Sequence, residues 1–310
     1  MKKTFLIIFL FLPCFAYSEG NSLNLENANF FLDTKTMQDG SIVNIGFGLN
    51  YSDVWGGEVR GQIEKTSTNE ELDDFSVSDS LIATNETVYE LFFLPIQYRR
   101  TINNNFKWQV GAGLHYEYQE SKQKGYIDFD MPVPEDSSFA RLNSYTDDFS
   151  MHVIGPLIDV GIKFDIEKFS IGFSGGIVPV FFLNTTEKQR MYPLFDTVNH
   201  SQETLGSPYF YLGLDSVLFK YINLSAKYNY AQLKYEVIDL DFDQTTNKFT
   251  PIYPENTIVS QSLMLEASVL IPVGGMYIQI GYGYMLSFYT KDNGDPVSGN
   301  KHYLILSGRK

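Results

Sequence analysis

Between Phe106 and Glu120 the chain reads FKWQVGAGLHYEYQE, and the alternation in this stretch narrows its possible folds more than any other feature. Trp108, Val110, Ala112, Leu114, Tyr116 and Tyr118 share one register, while Lys107, Gln109, Gly111, Gly113, His115, Glu117 and Gln119 share the other. Side chains alternate across a β-strand, so this is one long strand with an oily face and a wet or small one. The oily face must meet either a protein core or lipid.

The same scheme recurs along the chain. Val43, Ile45, Phe47, Leu49 and Tyr51 oppose Asn44, Gly46, Gly48 and Asn50, and Trp55, Val59 and Ile63 oppose Glu58, Arg60 and Gln62. Ile154 to Phe164, Phe169 to Ile177, Tyr209 to Leu218, Ile222 to Tyr230, Val259 to Ile271 and Met276 to Phe288 repeat it. Tyr89 to Tyr98 breaks parity at Phe92-Phe93-Leu94-Pro95. A bulge is expected there, because proline cannot donate to a ladder. With a poorer segment near Leu25 to Leu32 and a last one at His302 to Leu306, the count is about twelve strands, within ten to fourteen.

The connections fall into two kinds that alternate. Short ones lie near Ser52-Asp53, Thr101 to Asn105, Asp165 to Lys168, Phe219-Lys220 and Pro272 to Gly275. Long ones cover Thr66 to Glu86, Glu120 to Ser150, Asn184 to Ser207, Glu236 to Asn256 and Thr290 to Lys301. The chain therefore goes up and down with one plain end and one elaborated end. Trp55 and Trp108 each follow a short turn, where an interfacial aromatic belt would fall.

The first residues, MKKTFLIIFLFLPCFAYSEG, read as a secretory signal over residues 1–18: Lys2 and Lys3, an apolar run from Phe5 to Ala16, then Ala16-Tyr17-Ser18. Residues 19–310 form one domain by this reading. The one cysteine, Cys14, lies in that signal, so the exported chain has no disulfide and no thiolate metal site. No later run is long and apolar enough for a membrane helix. Without Lys2 and Lys3 the chain carries 21 basic and 37 acidic residues, a net charge near −16, which excludes polyanionic nucleic acid as a natural partner.

A soluble sandwich also alternates, but it mixes short and long loops at both ends. Long strands, a glycine-rich polar register and alternating loop lengths fit a closed sheet in lipid, where every backbone group must be paired and no edge can remain. With these features, nearly the whole exported chain resembles a bacterial outer-membrane β-barrel protein of a Gram-negative-type envelope. The resemblance implies an all-β, closed, antiparallel up-and-down transmembrane barrel, with long loops at the cell surface and insertion by the barrel assembly machinery. The ending HYLILSGRK departs from the aromatic C-terminal residue that machinery favours, so Tyr303 to Leu306 is read as the last strand with a short basic tail.

On this reading the lumen carries Glu58, Arg60, Glu90, Lys107, His115, Glu117, Asp159, Lys163, Asp215, Lys227 and Glu266. Such charges either line a selective aqueous path or pair across the lumen and fill it, and about twelve strands is the undecided middle. Inner glycines at 46, 48, 111, 113, 161, 172, 176, 281 and 283 lean the expectation towards a narrow passage for small solutes. Charges mutually paired would favour a plugged structural or adhesive barrel whose acidic loops bind an extracellular ligand.

A hydrolase is the third reading. Asn199-His200-Ser201-Gln202 has the residue types of an outer-membrane phospholipase but falls in a predicted loop, and no Asp-x-His of the omptin kind occurs. Asp239, Asp241 and Asp243 begin like a calcium loop, then fail at Gln244 and Thr250. Glu70, Glu71, Asp73, Asp74 and Asp79 read as a solvated acidic surface. Nothing in the sequence asks for a cofactor.

Overall fold

The computed structural model describes residues 28–71, 77–103, 105–129, 142–192, 195–205, 209–243, 248–274, 276–291 and 297–309. The expected signal segment lies outside them. Among the described residues there are sixteen strands: β1 Ala28–Met37, β2 Gly40–Asn50, β3 Trp55–Glu71, β4 Val77–Asn103, β5 Phe106–Phe129, β6 Leu142–Ile166, β7 Phe169–Val178, β8 Phe181–Tyr192, β9 Phe195–Leu205, β10 Tyr209–Leu218, β11 Ile222–Glu236, β12 Asp239–Asp243, β13 Lys248–Ile252, β14 Glu255–Val273, β15 Met276–Lys291 and β16 Val297–Arg309.

Twelve of these close a circuit. Each of β1 to β6 pairs antiparallel with the next, β7 pairs with β10, and β11, β14, β15 and β16 follow in order. β16 returns to β1, with Tyr303 opposite Met37 and Arg309 opposite Phe31. The sheet therefore has no free edge within the circuit, as lipid demands. The expected final strand is present and seals the barrel as far as Arg309.

β6 shows where the bilayer lies. Its outward residues are Ser144, Thr146, Asp148, Ser150 and His152 in the upper part, then Ile154, Ile158, Val160, Ile162 and Phe164 below. The lower set is exposed and wholly apolar. On β5 the apolar outer face runs from Trp108 to Tyr118, ten residue steps or roughly 33 Å of strand. At a tilt near 40° that is about 25 Å of height, the apolar band of an outer-membrane barrel.

Aromatic rings bound the band on both sides. At the short-turn end Trp55 meets Tyr98 at 5.0 Å and Tyr98 meets Trp108 at 5.4 Å, which puts both tryptophans in one strip. At the other end Tyr118 lies against Tyr89 and His152, and Tyr116 shares a hydrogen bond with His152.

Two sequence expectations change. The long connections are largely strand: β3 to β6 continue well past the belt, and β8 and β9 form a hairpin on top of β7 and β10. Above the bilayer the outward face meets water in place of lipid, so the oily register that marks a strand in lipid is lost although the ladder continues. The alternation of loop lengths also has an exception, because β1 and β2 are joined at the elaborated end by Gln38-Asp39 alone.

The expected bulge is present. The β4–β5 register shifts between Phe93 and Ile96, and the β3–β4 register shifts between Gly56 and Glu58. A second irregularity involves two prolines. β6 pairs with β7 up to Ile158 and with β8 from Ile154, and Pro156 and Pro179 stand at the change of partner. Neither can donate to a ladder, so the break falls where least is lost.

Candidate functional site

Many side chains of the inner register are buried. Leu94 and Gln97 on β4, His115 on β5, Leu157 and Asp159 on β6, Val178 on β7, Tyr211 on β10, Asn223 on β11, Gln279 on β15 and Tyr303 on β16 are each at most 2–3% exposed. They come from all round the wall, so they bury one another across the lumen.

The polar part is a set of cross-lumen bonds. From β3, Arg60 donates from Nη2 to Asp159 Oδ2 on β6 at 3.2 Å and to the Tyr211 hydroxyl on β10 at 3.1 Å. Tyr211 in turn donates to Asp159. Arg60 also lies 3.4 Å from Glu58, with its guanidinium over the rings of Phe92 and Tyr211. In the strand circuit β10 is five places from β3, so this side chain bars the lumen nearly from wall to wall. Each charge has its opposite in contact, as buried charges require.

Two further polar groups project from the inner register. Glu266 on β14 takes an ion pair from Lys35 on β1 and accepts from Tyr303 at 2.9 Å and Ser225 at 3.0 Å. Glu90 on β4 faces His115 Nε2 at 3.1 Å and accepts from Tyr209 of β10 at 2.7 Å. Glu117, next to His115 on the inner register, brings its carboxylate to the same place. One ligand atom from each of Glu90, His115 and Glu117 lies within 4.8 Å of the others. The Lys227 ammonium stands 5.8 Å from the Tyr211 ring centre.

The rest of the filling is apolar. Phe92, Leu94, Met151, Val153, Leu157, Val178, Phe181, Leu183 and Tyr211 form one cluster, and Met37, Ile42, Met264, Met285, Tyr303 and Ile305 another. Three of the inner glycines carry part of this packing. Phe31 stands directly opposite Gly46, Tyr211 opposite Gly176 and Tyr303 opposite Gly283. A Cβ at any of these glycines would overlap the opposing ring. The missing side chain is the seat of an aromatic one.

Lys107 and Lys163 flank Asp165 at 3.3 and 3.2 Å on the rim of the plain end, about half exposed. Asp215 is exposed near the same end. Asp239, Asp241 and Asp243 lie on β12, an extended ribbon with β13, and their side chains are outside the described ones. His200 and Ser201 lie on β9, not in a loop. His200 is exposed and Ser201 buried, on opposite faces of the strand, which does not make a nucleophile and base.

Sequence reading missed Lys35, Asp33, Tyr209, Tyr211 and Tyr303. The two tyrosines of β10 share the register of Asp215, so the signal was present. Lys35 and Asp33 were lost because the first strand was ended at Leu32.

The closed circuit, the apolar outer band and its two aromatic belts define the class: a transmembrane β-barrel of the bacterial outer membrane. Neither a protein-family model nor a curated protein sequence matches the chain. Similar solved structures include the translocator domain of the autotransporter NalP from Neisseria meningitidis, at 12% identity and TM-score 0.45, covering 99% of this chain and 96% of that one. The outer membrane protease OmpT from Escherichia coli follows at 10% and 0.36, covering 94% and 97%. A Pseudomonas aeruginosa FadL homologue stands at 12% and 0.40, covering 91% and 89%. The class is argued from this chain's own barrel.

Proposed function

We propose that this protein is an occluded outer-membrane barrel that works at the cell surface, through the β-extensions above its upper belt, and does not serve as an open diffusion channel. The observation that carries the reading is the Arg60–Asp159–Tyr211 bar, packed in a lumen whose side chains are buried on nearly every strand. Paired inner charges were the feature that favours a plugged barrel over a channel. A porin-like path would leave them facing water.

The extensions supply the working surface. β5 rises eleven residues past Tyr118, roughly 36 Å of strand, and β3, β4, β6, β8 and β9 stand beside it. On the opposite side β1 and β2 turn low at Gln38-Asp39, so the surface is a tall wall on one side of the mouth. The acidic connections of the sequence give it a preference for partners of opposite charge.

Solute flux tests the reading. Liposomes carrying the refolded chain should take up small neutral sugars no faster than empty ones. A triple variant, Arg60→Ala with Tyr211→Ala and Asp159→Asn, removes the bar without stranding a buried carboxylate and should admit them. Uptake by the unaltered chain at the rate of the triple variant would return the function to passive transport.

A further inference from the structure

We propose that Glu90, His115 and Glu117 form a binding site for a divalent cation of the zinc type, just below the upper aromatic belt and on the extracellular side of the Arg60 bar. Glu90 and Glu117 are directly opposite each other in the β4–β5 ladder, and both belong to the inner register. Two like charges in that position repel, more strongly in a lumen with little water than at a surface.

Protein groups answer this only in part. Glu90 has His115 and Tyr209. Lys227 is near enough to act on Glu90. Glu117 has no hydrogen bond or ion pair among the described residues.

The histidine is a second and separate observation. His115 is 1% exposed, and its Nδ1 is buried with no partner. Its ring is clamped between Tyr209, stacked at 4.7 Å and 13°, and Phe92 at 4.9 Å. An imidazole held flat by packing, with Nε2 turned to the Glu90 carboxylate, is placed to ligate through that nitrogen in exchange for its hydrogen bond.

The donor set selects the ion. One imidazole nitrogen and two carboxylate oxygens suit zinc and its first-row neighbours, while calcium and magnesium prefer oxygen alone. Bonds of about 2.1 Å in a tetrahedron hold ligand atoms about 3.4 Å apart. The 4.8 Å spread closes to that by rotation of the two glutamate side chains, and a fourth position is left for water. Tyr209, donating to Glu90, is the outer-shell bond that orients such a ligand. Glu64 and Glu86, also on the inner register of β3 and β4, lead towards the site from the mouth and favour cation entry.

The test is zinc titration of the refolded full chain in detergent, read by calorimetry and by the thermal unfolding midpoint, with magnesium as the competing ion. The expected result is one zinc per barrel, kept in excess magnesium, with a raised midpoint. Glu117→Gln should raise the midpoint without zinc, because the repulsion is gone, and lose the zinc-dependent rise with at least tenfold weaker binding. His115→Gln should bind at least tenfold more weakly. Tyr209→Phe should weaken binding about tenfold as an outer-shell loss. Cobalt as a spectroscopic substitute should give visible bands of a nitrogen and oxygen site in the unaltered chain. Equal zinc binding by the unaltered chain, Glu117→Gln and His115→Gln would mean only adventitious surface sites and overturn the proposal, as would no binding at all.

Discussion

Asp147 shows how much a single side chain depends on its height on the strand. It lies on β6 above the bilayer, where Tyr145 donates to its Oδ2 at 3.4 Å and its Oδ1 is buried without a partner. Burial, with Asp148 adding to it, pushes its carboxyl up from the ordinary 3.8 to about 6. A carboxyl raised on folding binds its proton more tightly in the folded state. Its contribution to stability is therefore full below about pH 3.8 and is lost as the pH rises through 6. The free energy of opening of the β6–β8 ladder, from hydrogen exchange corrected for intrinsic rates, should fall across that window. Asp147→Asn should flatten the profile; an unchanged profile in that variant would assign the dependence elsewhere. Of the residues that fill the lumen, the charged ones from Glu58 to Glu266 were readable from register alone, whereas Asp33 and Lys35 lie past the expected end of the first strand. Tyr211 shares the register of Asp215 and yet, like Tyr303, hides its role, because an inward aromatic ring seated on a glycine looks like ordinary oily-face sequence.

At the scale of elements, the strands in lipid were legible and those above it were not. The bilayer imposes a two-sided contrast on each residue pair, and that contrast stops at His152 on β6 while hydrogen bonding continues to Leu142. The turn between β10 and β11 offers a direct test of element energetics. Phe219 and Lys220 have φ of 52° and 67°, and Tyr221 N–H donates to Leu218 O at 3.0 Å. This is the primed turn that suits strand twist, built from residues with a Cβ. Each such residue in the left-handed region costs about 1 kcal/mol or more. Phe219→Asn with Lys220→Gly should stabilise the barrel by about 1–2 kcal/mol in urea unfolding from lipid vesicles and leave flux unchanged. A loss of stability would mean that the Phe219 ring, 63% exposed, anchors the turn in the interface.

The whole molecule is a closed barrel in lipid with a lopsided wall of described strands above it. Twelve strands are too many for a lumen that fills without effort and too few for an obligatory pore, and this chain fills its lumen with two apolar clusters and a chain of paired charges. The sequence carried those charges but not their partners. Pairing across the lumen depends on which strands face each other, and a pattern of period two does not record that. Single-channel current through the refolded chain in a planar bilayer tests the closure most directly. The account predicts an inserted, heat-modifiable barrel with no steps at neutral pH, and stable steps from the variant that lacks the Arg60, Tyr211 and Asp159 bar. Reproducible steps from the unaltered chain, with ion selectivity that Arg60→Ala changes, would contradict it.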